Sequence, residues 1–202
     1  MNRVPGMTEG PVYADKQITL HADYHIQDRI PVTIAPNTGD LDKGTILGVG
    51  TADGLYRPVR RAALTAAAAS GATTATLNAA DVAKFKQGDP VYLMKADGSG
   101  AFNAGTVSSI SGNVVTFSTA TTGAFAIGDL LFVKDGSETA LLVLGDVVLD
   151  AAANKIASAF VSNKFLTSKL VGVDSIVIRD LKARVIPFGN NEQGQPESIL
   201  VV

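Results

Sequence analysis

At 202 residues the chain suits one or two domains and is long enough to bury a real core. Hydrophobic residues make up 46% and charged residues only 18%, which excludes an intrinsically disordered chain. A net charge of −2 without clustered cations speaks against nucleic acid, and the absence of cysteine excludes disulfides and thiolate chemistry.

The N-terminus, Met1-Asn2-Arg3-Val4-Pro5-Gly6, lacks the apolar core of a signal peptide. The longest apolar run, residues 141–149, is interrupted by Gly145-Asp146 and is too short to span a bilayer, so no membrane anchor is expected. Residues 1–40 are expected to form an extended arm. Residues 17–24 alternate apolar and polar side chains, with Ile18, Leu20, Ala22 and Tyr24 on one face. Residues 29–34 alternate too, and Pro31 removes a ladder donor and favours an edge position. An isolated pair of strands is marginal in water, so the arm should be loose until it pairs with something.

Residues 43–59 predict a strand, a tight turn and a second strand. Their expected partner is the apolar run 140–149, with a self-contained β-rich module between. The basic doublet Arg60-Arg61 sits at the seam and is expected to be a solvated junction or an interface contact. Within the insert, residues 62–136, the Ala-rich stretch 62–71 suits one or two helical turns or a linker. Thr73-Thr74-Ala75-Thr76-Leu77 predicts a strand, and Asn78 an N-cap for a short helix over 79–85. Strands follow at 90–95, 105–110, 114–117 and 130–133, with Ser111-Gly112-Asn113 as a tight turn. Five short strands with Gly-Asp turns predict a small barrel or sandwich.

Residues 141–149 are apolar on both faces and predict a buried central strand. Asp174 is a cap for a helix to about residue 184, along which Val173, Val177, Leu181 and Val185 stack. Asp180 and Arg184 then form an i, i+4 pair. Residues 185–188 predict a last strand, 189–195 a polar loop and 199–202 an apolar tail.

A search for chemistry finds little. His21 and His25 are spaced for a shared face, yet no Cys accompanies them and Asp23 and Asp28 suit a surface, so a metal site is not expected. No Gly-x-Ser-x-Gly elbow is present for a triad. Gly48-Val49-Gly50-Thr51-Ala52-Asp53-Gly54 brushes the dinucleotide fingerprint, but its third glycine is late and a strand follows it. Asp40-Leu41-Asp42-Lys43-Gly44 lacks the bidentate Glu of a calcium loop. Asp89, Asp97 and Asp129 sit in turns that Asx geometry explains. The expectation is no enzyme, no catalytic residue, no metal and no cofactor.

Ile30-Pro31-Val32-Thr33-Ile34, then Asp42-Lys43-Gly44-Thr45-Ile46-Leu47-Gly48 and Asp53-Gly54-Leu55-Tyr56-Arg57-Pro58-Val59, resemble the opening of the lambda-type head decoration proteins of tailed bacteriophages. The Gly145-Asp146-Val147 strand and the helix-then-strand of 174–188 are similar to the family's later part. The resemblance covers roughly 30–61 and 137–190, and the insert departs from it. It implies a mainly β fold: a β-clip-like decoration core with a short helix, formed by 41–61 plus 137–202, carrying the inserted small β-barrel or sandwich.

The resemblance further implies a homotrimer that cements the expanded head on its outer surface and partners the major capsid protein. Such a protein is part of the virion and assembles in the bacterial host cytoplasm. The shell-binding segment is then expected at Gln17, Ile18, Thr19, Leu20, Ala22, Tyr24, Ile30, Val32 and Ile34, adding a strand to a capsid sheet. The insert's task is open between a host-surface glycan and wider subunit contacts. Two other classes remain: a tail-tube, collar or fibre-associated virion protein, and a carbohydrate-binding module, for which the chain offers no Trp and only Tyr13, Tyr24, Tyr56 and Tyr92.

Overall fold

The computed structural model describes residues 28–150, 152–162, 164–190 and 196–202. In chain order come β1 (Asp28–Ile34), β2 (Ile46–Val49), β3 (Tyr56–Pro58), β4 (Arg61–Ala63), β5 (Thr74–Thr76) and the short helix α1 (Ala79–Val82). Then follow β6 (Pro90–Met94), β7 (Phe102–Ser111), β8 (Val114–Phe117) and β9 (Leu130–Val133). The chain continues with β10 (Leu142–Leu144), β11 (Lys155–Ser162), β12 (Lys164–Leu166) and a single 3-10 turn at Thr167–Lys169. It closes with α2 (Ser175–Asp180), β13 (Arg184–Asn190) and β14 (Pro196–Val201). The fold is mainly β. No helix among the described residues is long and apolar enough to cross a membrane.

The first body is a closed five-stranded barrel in the order β1-β11-β10-β2-β3. The β2–β3 hairpin pairs Leu47 with Pro58 and Val49 with Tyr56. Leu142 and Val143 of β10 pair with Leu47 and Ile46 across the whole insert. A parallel bridge between Ile34 and Tyr56 shuts the barrel. Strand alternation then sorts the apolar residues. Val32, Ile34, Leu47, Leu142 and Leu144 fill the interior. Ile46, Val143 and Phe160 point outward, where they meet Phe165, Val177, Leu181 and Leu200. Those partners come from α2 and a three-stranded sheet, β12-β14-β13, laid on the barrel's outside. Phe160 and Phe165 meet edge-on at 5.4 Å. Each such buried Leu or Phe stabilises the fold by roughly 1.5–3 kcal/mol.

β10 is therefore apolar on both faces because both are covered. It is shorter than the run 141–149 suggests. Leu141, Val147 and Leu149 are exposed, and at Gly145-Asp146 the chain turns away. There the Gly145 amide bonds to the Ser158 carbonyl, and the Asp146 carboxylate accepts from the Ser158 amide and hydroxyl at 2.6 and 2.8 Å.

The second body is a six-stranded sheet, β4-β9-β6-β7-β8-β5, drawn from residues 61–133. It has its own core around Leu64, Leu77, Phe85, Leu93, Phe117 and Leu131. The sixth strand is β4, which overlaps the start of the stretch 62–71 expected to be helical turns or a linker. Extended hydrogen bonds explain this: Leu64 donates to Asp129 O, Thr65 to Thr76 O, and Ala68 bridges Phe125. An Ala-rich helix of that length is marginal on its own, whereas these bonds also bury Leu64 and Ala68. Asn78 caps α1 as expected, accepting from the Asp81 amide, but the helix lasts only through Val82.

Asp174 caps α2 by accepting from the Val177 amide. The helix ends at Asp180, four residues earlier than the apolar spacing suggests. Lys182 adopts a left-handed φ of 53°, and the Ala183 amide reaches back to Ile178 O, as in a Schellman cap. Arg184 opens β13, so it does not share a helix with Asp180 as the i, i+4 spacing expected. β13 includes Gly189 and Asn190, beyond the expected strand end, and the tail forms β14. β11 and β12 were not expected at all.

Candidate functional site

Of the expected shell-binding residues, Gln17, Ile18, Thr19, Leu20, Ala22 and Tyr24 lie outside the described residues, as do His21 and His25. Ile30, Val32 and Ile34 are described, and they belong to β1. That strand pairs antiparallel with β11, matching Ile30 with Ala159 and Val32 with Ala157. Val32 and Ile34 point into the barrel and are buried, and Ile30 at the barrel mouth is 39% exposed. The boundary drawn at residue 40 thus does not separate an arm from a core, because residues 28–34 are a stave of the barrel. The alternation was read correctly, but the partner that covers it is β11 of the same chain.

The barrel nevertheless presents apolar groups to solvent. The β10–β11 hairpin carries Val147, Leu149 and Ile156 at 62%, 68% and 84% exposure. Among the described residues these are the most exposed large aliphatic side chains of the barrel.

Among the described residues, a cluster of charge lies at the seam between barrel and sheet. Asp53 in the β2–β3 turn takes a hydrogen bond from Arg57 at 2.9 Å and one from the Leu55 amide at 3.1 Å. The Arg57 guanidinium and that amide hold its carboxyl down to about 2, and the same pairing raises Arg57. Asp135, on the returning chain, lies 3.4 Å from Arg60 and 4.0 Å from Arg57. Burial pushes its carboxyl up, but the Ser137 hydroxyl and amide and the two arginines outweigh it, so it is held below the ordinary value. Arg60 also reaches Asp89 at 2.7 Å.

Arg61 differs from its neighbour. It is 6% exposed, it donates to Glu138 O at 2.6 Å, and it stands 3.5 Å from Asp174 and 3.3 Å from Asp180. Its Nε has no hydrogen-bond partner in the structure. Of the two expectations for Arg60-Arg61, a solvated junction or an interface contact, the first does not hold, because the doublet lies in a semi-buried ion network. Sequence alone offered the doublet but not its four carboxylates, Asp89, Asp135, Asp174 and Asp180, which come from distant segments.

Beside this seam opens a cleft of about 550 Å3 whose walls include Pro36, Leu41, Val59, Asp42, Arg60 and Lys86. Its basic groups are already engaged: Arg60 with Asp89, and Lys86 with the Asn37 carbonyl at 2.7 Å. Among the described residues, no group of three or more His, Asp or Glu converges as metal ligands would. The ion pairs join residues of the barrel with residues of the six-stranded sheet and of the returning chain. No protein-family model, no curated protein and no solved structure matches the chain.

Proposed function

We propose that the protein is a head decoration protein of a tailed bacteriophage, acting as a homotrimer on the outside of the expanded shell. In this reading the barrel with its outer three-stranded sheet is the β-clip-like decoration core. Trimers occupy three-fold and quasi-three-fold positions, bind the major capsid protein and stiffen the head against DNA pressure. The protein assembles in the bacterial cytoplasm and turns over no substrate.

One observation carries the reading. The two sequence segments that resemble decoration proteins, roughly 30–61 and 137–190, fold into one body through β2–β10 and β1–β11 pairing. The insert meanwhile forms a sheet of its own. A donated strand supplies main-chain bonds, and three per trimer make release slow.

The donated segment is residues 1–27, because β1 is occupied in the barrel. Deleting residues 1–27 is therefore expected to leave trimers intact on sizing while binding to purified expanded heads is lost. A chain that is monomeric and indifferent to heads overturns the proposal, as does assembly into rings or tubes, which the tail-protein reading expects.

The insert has a distinct character. Residues 98–128 contain no charged side chain, and the row Thr74–Thr116–Ser109 crosses β5, β8 and β7. An uncharged hydroxyl face supports a neutral host-surface glycan as this module's partner. Retention of the isolated protein on a glycan array tests that role.

A further inference from the structure

The chain crosses between barrel and insert twice, and two such crossings ordinarily permit the parts to swing. Here neither crossing contains a free residue. On the way out, the Val59 amide bonds to Ile46 O in the barrel, and the next residue, Arg60, accepts through its carbonyl from Val133 of the insert. On the way back, the Lys134 amide bonds to Pro90 O in the insert, and the Asp135 carbonyl immediately accepts from the Thr51 amide of the barrel hairpin.

Close backbone approach tightens the return path. A Cβ on Gly48 would stand 2.1 Å from Ser137 O, and one on Gly136 would stand 2.4 Å from the Thr51 nitrogen. Helix α2 then wedges between the bodies. Its Ile176 packs with Met94, Leu130 and Phe132 of the insert, while Val177 packs on the barrel's outer face.

We infer that the six-stranded sheet is mounted on the barrel at one fixed angle, and that Arg61 is the residue that sets it. Arg61 opens the first strand of the insert. Its guanidinium holds the returning chain through Glu138 O and α2 through Asp174 and Asp180. These are the three elements whose relative placement defines the angle.

The cluster is poorly built for stability alone. Its two carboxylate contacts are long, and its Nε is unsatisfied. Buried ion pairs of this kind add little net stability over apolar replacements, whereas their directional contacts select one arrangement. An apolar side chain of similar volume at this position gives up that selection, and because it leaves Asp174 and Asp180 without their cation it also costs stability. The fixed mount does not depend on the proposed role at the phage head.

The chain has no cysteine, so two engineered ones are unique attachment points. Spin labels at Ile156→Cys on β11 and Ser108→Cys on β7 report the distance between barrel and insert in the full-length protein by pulsed dipolar spectroscopy, at low labelling density. With Arg61 present the distance distribution is expected to be single and narrow. In Arg61→Met it is expected to broaden severalfold, with far-ultraviolet circular dichroism unchanged. Asp180→Asn, which leaves Asp174 and Glu138 O in place, is expected to broaden it less and covers the case in which the Met variant fails to fold. A broad distribution in the Arg61 protein overturns the fixed mount. A narrow one in Arg61→Met, or in Asp180→Asn where that variant stands in for it, overturns the role of Arg61.

Discussion

Single side chains at the seam carry effects that separate cleanly. Asp53 is held at about 2 by Arg57, below its ordinary value of 3.8. Its folded-state value is depressed, so its contribution to stability is complete above about pH 4 and is lost as the pH falls through about 2. Asp53→Asn is therefore expected to lower the melting temperature slightly at neutral pH, and the two proteins should converge in acid. A pH series of melting curves checks this, and added salt should shrink the gap because the pair is exposed. Gly48 is a steric case. The Ser137 carbonyl passes where a methyl would sit, so Gly48→Ala is expected to cost about 1–3 kcal/mol by urea denaturation. Gly123, with open space around it, is the matched control and should tolerate Ala. Lys182 holds a left-handed φ of 53° in the cap of α2. Lys182→Gly is expected to stabilise by roughly 0.5–1 kcal/mol.

Among the elements, the hairpins, the caps and the β2–β10 pairing across the insert were legible, and the pairings of β1 with β11 and of β12 with β14 were not. The β2–β3 hairpin follows from alternation interrupted by Gly50, Asp53 and Gly54, and the Ser111-Gly112-Asn113 turn from a glycine with φ of 54°. Asn78 and Asp174 both cap helices because a short side-chain acceptor satisfies otherwise free amides. Asp174→Ala is expected to cost about 1 kcal/mol or more by denaturation, since the same carboxylate also faces Arg61. Helix ends were misjudged. The apolar spacing Val173, Val177, Leu181, Val185 continues past the helix because Val185 serves β13 with a different period. Asp146 marks the end of β10 through its bonds to Ser158. Asp146→Ala leaves an amide and a hydroxyl without that acceptor and is expected to cost about 1–3 kcal/mol.

Over the molecule as a whole, two cores share one seam. The insert core around Phe117 and Leu93 and the barrel core around Leu47 and Leu144 are separate clusters, joined by α2 and by crossings with no slack. Denaturation is accordingly expected to proceed in one cooperative transition, with fluorescence and circular dichroism traces coincident. Two transitions would show that the seam gives way before either core. The barrel needs strands from both sides of the insert, so β2 must wait for β10 across a long loop, which slows folding relative to the insert's local hairpins.

Alternation, turn glycines and capping residues were enough to read a mainly β chain, a hairpin at 43–59, and a separate β module between it and a later apolar strand. These signals rest on short-range sterics and hydrogen bonding, which a residue carries wherever it goes. Tertiary contacts alone assigned β1 to the barrel, drew β4 out of an Ala-rich stretch, and put Arg61 among Asp174, Asp180 and Glu138. An edge takes whichever strand arrives, and a charge is buried only where distant segments converge to meet it, so neither outcome is written in local pattern.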